Sequence, residues 1–172
     1  MRPGAQPPGE RNPREQHPHT LRPIDPGDYA AVSGLTVAAY APYIPAGSEY
    51  LDLLADVEAR AAAAEIVVAE IAGAVVGAIV LADAGSALAE IAREGELEFR
   101  MIAVAEQARG SGVGTALVRH GIAEARRRGN EAVVLSSMRA MIEARRIYAR
   151  HGFVEVPERK QYRSIDVFRL VL

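Results

Sequence analysis

The chain has 172 residues, 24% of them charged, a formal net charge of −2 and no cysteine. That length suits one domain burying roughly 70% of the surface its unfolded chain exposes, and the missing thiols exclude a cysteine nucleophile, a disulfide framework and Cys-type zinc sites. The small total hides a split, since residues 1–100 carry 7 basic and 15 acidic side chains and residues 101–172 carry 13 and 7, which suggests one surface for a polyanion and another for a cation.

Residues 1–20 contain Pro3, Pro7, Pro8, Pro13 and Pro18 and almost nothing apolar, so they read as a disordered tail ahead of one domain over 21–172. His17 and His19, with no third ligand nearby, make a poor metal site. The tail lacks the apolar core of a signal peptide. The longest apolar run, Ala72 to Ala82, is interrupted by Gly73 and Gly77 and falls short of the ~20 residues that cross a bilayer. A cytoplasmic protein is expected, with no membrane partner.

Leu21 to Ile24 reads as a first strand, and Asp25-Pro26-Gly27 turns the chain into a helix with Tyr29, Val32, Leu35 and Ala39 at helical spacing. Pro42 and Pro45 end it. Ser48 is a good N-cap for a second helix over Ser48 to Ala63, with Leu51, Leu54 and Val57 inward. Glu65 to Ile71 and Val75 to Leu81, joined by Ala72-Gly73-Ala74, predict an antiparallel hairpin. After a loop from Asp83 to Gly95 come a strand over Leu97 to Val104, a Gly-rich segment, and a helix over Val113 to Arg128 with Leu117, Ile122 and Ala125 on one face. Arg126, Arg127 and Arg128 complement the dipole of its last turn. A strand over Ala132 to Leu135, a helix over Met138 to Arg150, and strands over Phe153 to Val156 and Ser164 to Val171 complete a mixed α/β domain whose N-terminal part is antiparallel.

The Gly-rich segment Gln107-Ala-Arg-Gly-Ser-Gly-Val-Gly-Thr115 joins a strand to a helix. Glycines at alternate positions leave backbone N–H groups uncovered, and the helix start adds unpaired N–H groups and the positive end of a dipole, an arrangement that binds a pyrophosphate. Arg109 adds charge at its edge. A P-loop would place a lysine before Thr115, where Gly114 stands. A dinucleotide fingerprint would need glycine at 115 and an acidic end to the next strand, which instead reads Val134-Leu135-Ser136.

Gln107-Ala108-Arg109-Gly110-Ser111-Gly112 resembles the Gln/Arg-x-x-Gly-x-Gly/Ala signature of the GNAT N-acetyltransferase family, and Tyr148-Ala-Arg-His-Gly-Phe153 resembles the Tyr-x-x-x-Gly-Phe that follows it there. The resemblance spans about residues 21–172. It implies a single-domain α/β GNAT fold with a mixed, mostly antiparallel sheet and flanking helices, and acetyl-CoA as cosubstrate without a metal. It also implies that the backbone around Ile102, Ala103 and Val104 pairs with the pantetheine arm. Gln107, Arg109, Gly110, Ser111, Gly112, Val113, Gly114 and Thr115 would then hold the pyrophosphate. The family often carries Asn seven positions before the tyrosine; this chain has Met141.

Transfer of acetyl to an amine requires a neutral nucleophile, a polarised carbonyl and a stabilised thiolate. Glu98, where several family members place a base, is the candidate to take the amine proton, with Glu96 as its competitor and a structural partnership with Arg100 as the alternative role. Tyr148 is the candidate acid. Tyr40, Tyr43 and Tyr50, with Glu49, Asp52 and Asp56, would give an acidic, aromatic mouth suited to a cationic amine. His120 and His151 read as structural or surface residues. The expected activity is transfer from acetyl-CoA to a primary amine by direct attack in a ternary complex, on a small-molecule or peptide acceptor, by a monomer or homodimer without nucleic acid. A non-catalytic acyl-CoA sensor and a transferase of longer acyl groups are the alternatives.

Overall fold

The computed structural model describes residues 19–159 and 162–172; the proline-rich segment and His17 lie outside them. The strands are β1 (His19–Pro23), β2 (Glu65–Ile71), β3 (Ala74–Asp83), β4 (Glu96–Val104), β5 (Ala132–Met138), β6 (Val154–Glu155) and β7 (Ile165–Val171), and the helices are α1 (Tyr29–Tyr40), α2 (Glu49–Ala55), α3 (Val57–Ala63), α4 (Val113–Arg127) and α5 (Ile142–Arg150). One sheet runs β1-β2-β3-β4-β5-β7-β6, antiparallel throughout except at β4–β5. This is the mixed, mostly antiparallel α/β domain expected. No helix among the described residues is long and apolar enough to cross a membrane.

Three boundaries move for local reasons. The second helix breaks at Asp56, whose backbone leaves the helical region (φ −81°, ψ 76°) and whose carboxylate caps α3 by accepting from the Ala59 amide. Met138 belongs to β5 and pairs with Ile165, so α5 begins four residues later than its spacing suggests. β1 begins at His19, and its pairing with β2 claims His19 and Thr20.

Alternation along β3 sends Ile79 and Leu81 to one face and Ala78, Val80 and Ala82 to the other. The first face packs with Val113, Leu117, Val118, Ile122 and Ala125 of α4. The second carries Val32 of α1, Leu54 of α2 and Val57 of α3. Helix α4 lies so close that a Cβ on Gly121 would meet Phe99 Cζ at 2.5 Å. Arg128, beyond its dipole role, ties the end of α4 to Glu65 of β2 and to Asp83 at 2.8 Å.

Candidate active site

The sheet opens at its one parallel pairing. β4 and β5 are partners only over Glu96–Phe99 and Ala132–Leu135. Beyond that point β5 continues along β7 to Met138, while β4 stays with β3 as far as Val104. The divergence coincides with a bulge: the β3–β4 register shifts between Ala78 and Val80, and Met101 takes φ 51°. Its sulfur receives the buried Arg60 guanidinium at 3.6 Å, and Arg60 is itself anchored on the Leu54 carbonyl at 2.7 Å.

A cleft of about 530 Å³ fills the opening, lined by Ile102, Ala103 and Val104, by Arg109, Gly110 and Gly112 to Thr115, by Met141, Ile147 and Tyr148, and by Tyr40 and Tyr43. Since α4 and α1 lie on opposite faces of the sheet, the cleft passes between the splayed strands from one face to the other. A shallower hollow of about 480 Å³ lies at the start of β4, where the Asp83 and Glu96 carboxylates are already held by arginines.

At one end of the cleft, Gly110 and Gly112 take φ 79° and 91°, values that a Cβ disfavours. Gly112 caps α4 in the left-handed conformation, and no side chain caps the helix. The Ala116 amide donates to the Gly112 carbonyl at 2.9 Å, so the first-turn amides before it lack a helical acceptor. Nine of the eleven expected cofactor residues line the cleft. Gln107 and Ser111 do not: Gln107 lies in the 3-10 turn before Arg109, and the Ser111 hydroxyl donates to the Ala108 carbonyl at 2.6 Å.

Tyr148 projects from α5 into the cleft, 6% exposed. Its ring is backed by Phe153 at 5.9 Å and Phe168 at 6.4 Å, burial raises its phenol above the usual value, and its hydroxyl makes no hydrogen bond among the described residues. Helix α5 is fixed by Arg145, which donates to Asp166 at 2.8 Å and stacks over Phe168. Met141, in place of the family's asparagine, is the N-cap residue of α5, makes no side-chain cap bond and lines the cleft.

Glu98 does not join this site. It is 0% exposed, faces away from Tyr148's side of the sheet and does not line the cleft. Its Oε2 accepts from the amides of Glu90, Ile91 and Ala92 at 2.8, 2.8 and 3.0 Å, and Oε1 lies 3.7 Å from Arg100. In this placement the carboxylate expected as the base holds the loop before β4. Glu96 is committed elsewhere too, to Arg159 at 2.9 Å, Arg169 at 2.8 Å and the Arg93 amide. Burial opposes its charge, but these bonds prevail and lower its pKa to about 2.

The expected acidic mouth divides. Tyr40 and Tyr43 line the cleft, whereas Tyr50 stands behind Tyr40, and Glu49, Asp52 and Asp56 lie off it. His151 Nδ1 donates to the Ile147 carbonyl at 2.8 Å, and no group of three metal-ligating side chains occurs among the described residues. Ile147, Arg146 and Arg150 line the cleft without having been singled out; for Ile147 the i, i+3, i+4 spacing of Ala144, Ile147 and Tyr148 on α5 was the available signal.

The model of the Acetyltransferase (GNAT) family matches residues 29–153. None of the curated proteins matches the chain. Among solved structures, a GNAT family acetyltransferase from Brucella melitensis in complex with acetyl-CoA is 26% identical, with 90% of this chain and 88% of that one covered and a TM-score of 0.63. An acetyltransferase of the GNAT family from Staphylococcus aureus is 13% identical over 90% and 99% of the two chains, TM-score 0.72. A ribosomal-protein-alanine N-acetyltransferase from Brucella melitensis is 21% identical over 89% and 99%, TM-score 0.68. With a strand splay, a bare-amide helix start and a tyrosine meeting in one cleft, and the family model covering most of the domain, the chain belongs to the GNAT family of acetyltransferases.

Proposed function

We propose that this protein transfers acetyl from acetyl-CoA to a primary amine by direct attack in a ternary complex. The observation that carries the reading is the cleft itself, which joins the uncapped start of α4 to the splayed edge of β4 and to the Tyr148 hydroxyl. The first-turn amides from Gly110 to Thr115, with Arg109 beside them, suit a pyrophosphate. The unpaired edge at Ile102 and Val104 suits the amides of a pantetheine arm, which would add to β4 as a short strand. The Brucella melitensis relative, crystallised with acetyl-CoA, supports this ligand.

In the reaction the amine nitrogen attacks the thioester carbonyl, the C–N bond forms, and the C–S bond of the tetrahedral intermediate breaks. The Val104 N–H is assigned to the carbonyl oxygen as charge develops there. The Tyr148 hydroxyl is assigned to the departing sulfur: its raised pKa keeps it protonated, and a thiol with a pKa of about 8.5 is a stronger acid than a phenol, so hydrogen-bond stabilisation serves better than full proton transfer. Glu98 acts through the loop it anchors, and the amine proton leaves to water in the cleft.

The test is thiol release from acetyl-CoA across a panel of amines, alongside calorimetric binding of coenzyme A. Release with at least one amine is expected. Tight coenzyme A binding with no release from any amine would instead identify an acyl-CoA sensor.

A further inference from the structure

Two tyrosines face the cleft from opposite faces of the sheet, and each is braced from behind. Tyr148 rests on Phe153 and Phe168. Tyr40, the last residue of α1, meets Tyr50 edge-on, with ring centroids 6.3 Å apart at 62°. Tyr50 in turn neighbours Arg100, which is fixed by the Leu88 carbonyl at 2.6 Å and Glu90 at 2.8 Å. The loop supplying Leu88 and Glu90 is the one whose amides Glu98 holds. Thus Tyr40 has little room to swing, because its support runs back into the sheet through fixed groups. Burial raises its phenol well above the usual value, with the neighbouring Tyr50 and Tyr148 phenols adding to the rise.

The anion-binding turn belongs to the α4 face and Tyr40 to the α1 face. A coenzyme A thioester anchored at the turn and threaded along Ile102–Val104 therefore directs its acyl end toward Tyr40. On the strength of the coenzyme A reading above, we propose that Tyr40 is the wall that sets acyl-chain length, admitting acetyl and turning away chains two or more methylenes longer. The side chain acts by volume, so the ring matters and its hydroxyl does not. Tyr43, 42% exposed at the same mouth, is left to the acceptor's side.

Binding of the inert thioethers S-ethyl-CoA, S-butyl-CoA and S-hexyl-CoA, measured by calorimetry, tests this without knowing the acceptor. The wild type is expected to bind the ethyl compound and to lose affinity at butyl and hexyl. Tyr40→Ala and the milder Tyr40→Leu should each improve butyl relative to ethyl by about 10-fold, the worth of two buried methylenes, while Tyr40→Phe keeps the wild-type ratio. Unchanged ratios in both Tyr40→Ala and Tyr40→Leu, with S-ethyl-CoA still bound, overturn the wall and leave the coenzyme A reading standing. So does a wild type that binds butyl as well as ethyl. Failure of the wild type to bind any of the compounds or coenzyme A itself overturns both together. Unaltered binding of plain coenzyme A by the variants serves as the check on folding.

Discussion

Glu98 accepts a hydrogen bond from the Ile91 amide at 2.8 Å, so a charged side chain of the central strand β4 ends the path of a loop seven residues earlier in the chain. The Glu90 and Ala92 amides converge on the same oxygen. A carboxylate oxygen that accepts from three amides is a fastening, and its loss leaves buried donors without an acceptor.

Glu98→Ala is therefore expected to destabilise the fold by about 3–5 kcal/mol, in the range for removing a buried, hydrogen-bonded charge, as read from urea unfolding. Glu98→Gln, which keeps an acceptor oxygen, should recover part of that loss. Under the proposed reaction the acidic limb of the pH–rate profile stays in place in Glu98→Gln. Its disappearance would restore Glu98 to the role of base.

Tyr148→Phe tests the other half of the chemistry. The hydroxyl has no hydrogen-bond partner among the described residues, and the ring contacts with Phe153 and Phe168 persist in phenylalanine. The melting temperature should hardly move, coenzyme A should bind as before, and turnover should fall by ~10²–10⁴. Undiminished turnover would remove the phenol from the mechanism.

At Gly112 the backbone demands φ 91°, and a Cβ there would project into open space with no atom within 4 Å. Gly112→Ala should cost about 1–2 kcal/mol of stability from the left-handed conformation alone. It should also weaken coenzyme A binding by roughly 10-fold, because a methyl group beside the first-turn amides obstructs a phosphate oxygen. Calorimetry separates the two effects, since the strain appears in the unligated protein and the obstruction only on titration.

Glu96 makes the fold sensitive to acid. Its folded pKa of about 2 lies below the ordinary 4.5, so its contribution is complete above pH 4.5 and is lost as pH falls through the folded value. A shift of that size corresponds to roughly 3 kcal/mol. Urea midpoints measured from pH 7 to 2.5 should fall in this window, and Glu96→Gln should flatten that part of the curve. Parallel curves for wild type and variant would place the acid sensitivity in other carboxylates.

Much of the cleft could be read locally. Alternating glycines before an amphipathic helix specify backbone conformation within a few residues, so the turn at 109–115 and the start of α4 emerged close to their observed places. The same holds for Tyr148, whose position on α5 relative to Gly152-Phe153 is short-range. The break at Asp56 was hidden because apolar spacing of Leu51, Leu54 and Val57 continues across it, and the carboxylate that caps α3 has an equally ordinary reading as exposed helix charge.

The fate of Glu96 was decided at longer range, and that of Glu98 by an irregular loop just before its own strand. Both stand near the signature on one strand, and their type and spacing suit a base as well as an anchor. Glu96 meets Arg159 and Arg169, 63 and 73 residues later, and Glu98 meets amides of a loop without periodicity. The sequence by itself determined the glycine-rich turn, the helix that follows it and the succession of strands along the chain, because these follow from local backbone preference and from the period of the apolar residues. Only the tertiary structure decided that β4 and β5 part after Phe99, that Tyr40 faces the same cleft as Tyr148, and that Glu96 bonds to arginines and Glu98 to loop amides. Those outcomes depend on which distant groups reach a buried charge or ring first, and no local pattern encodes that competition.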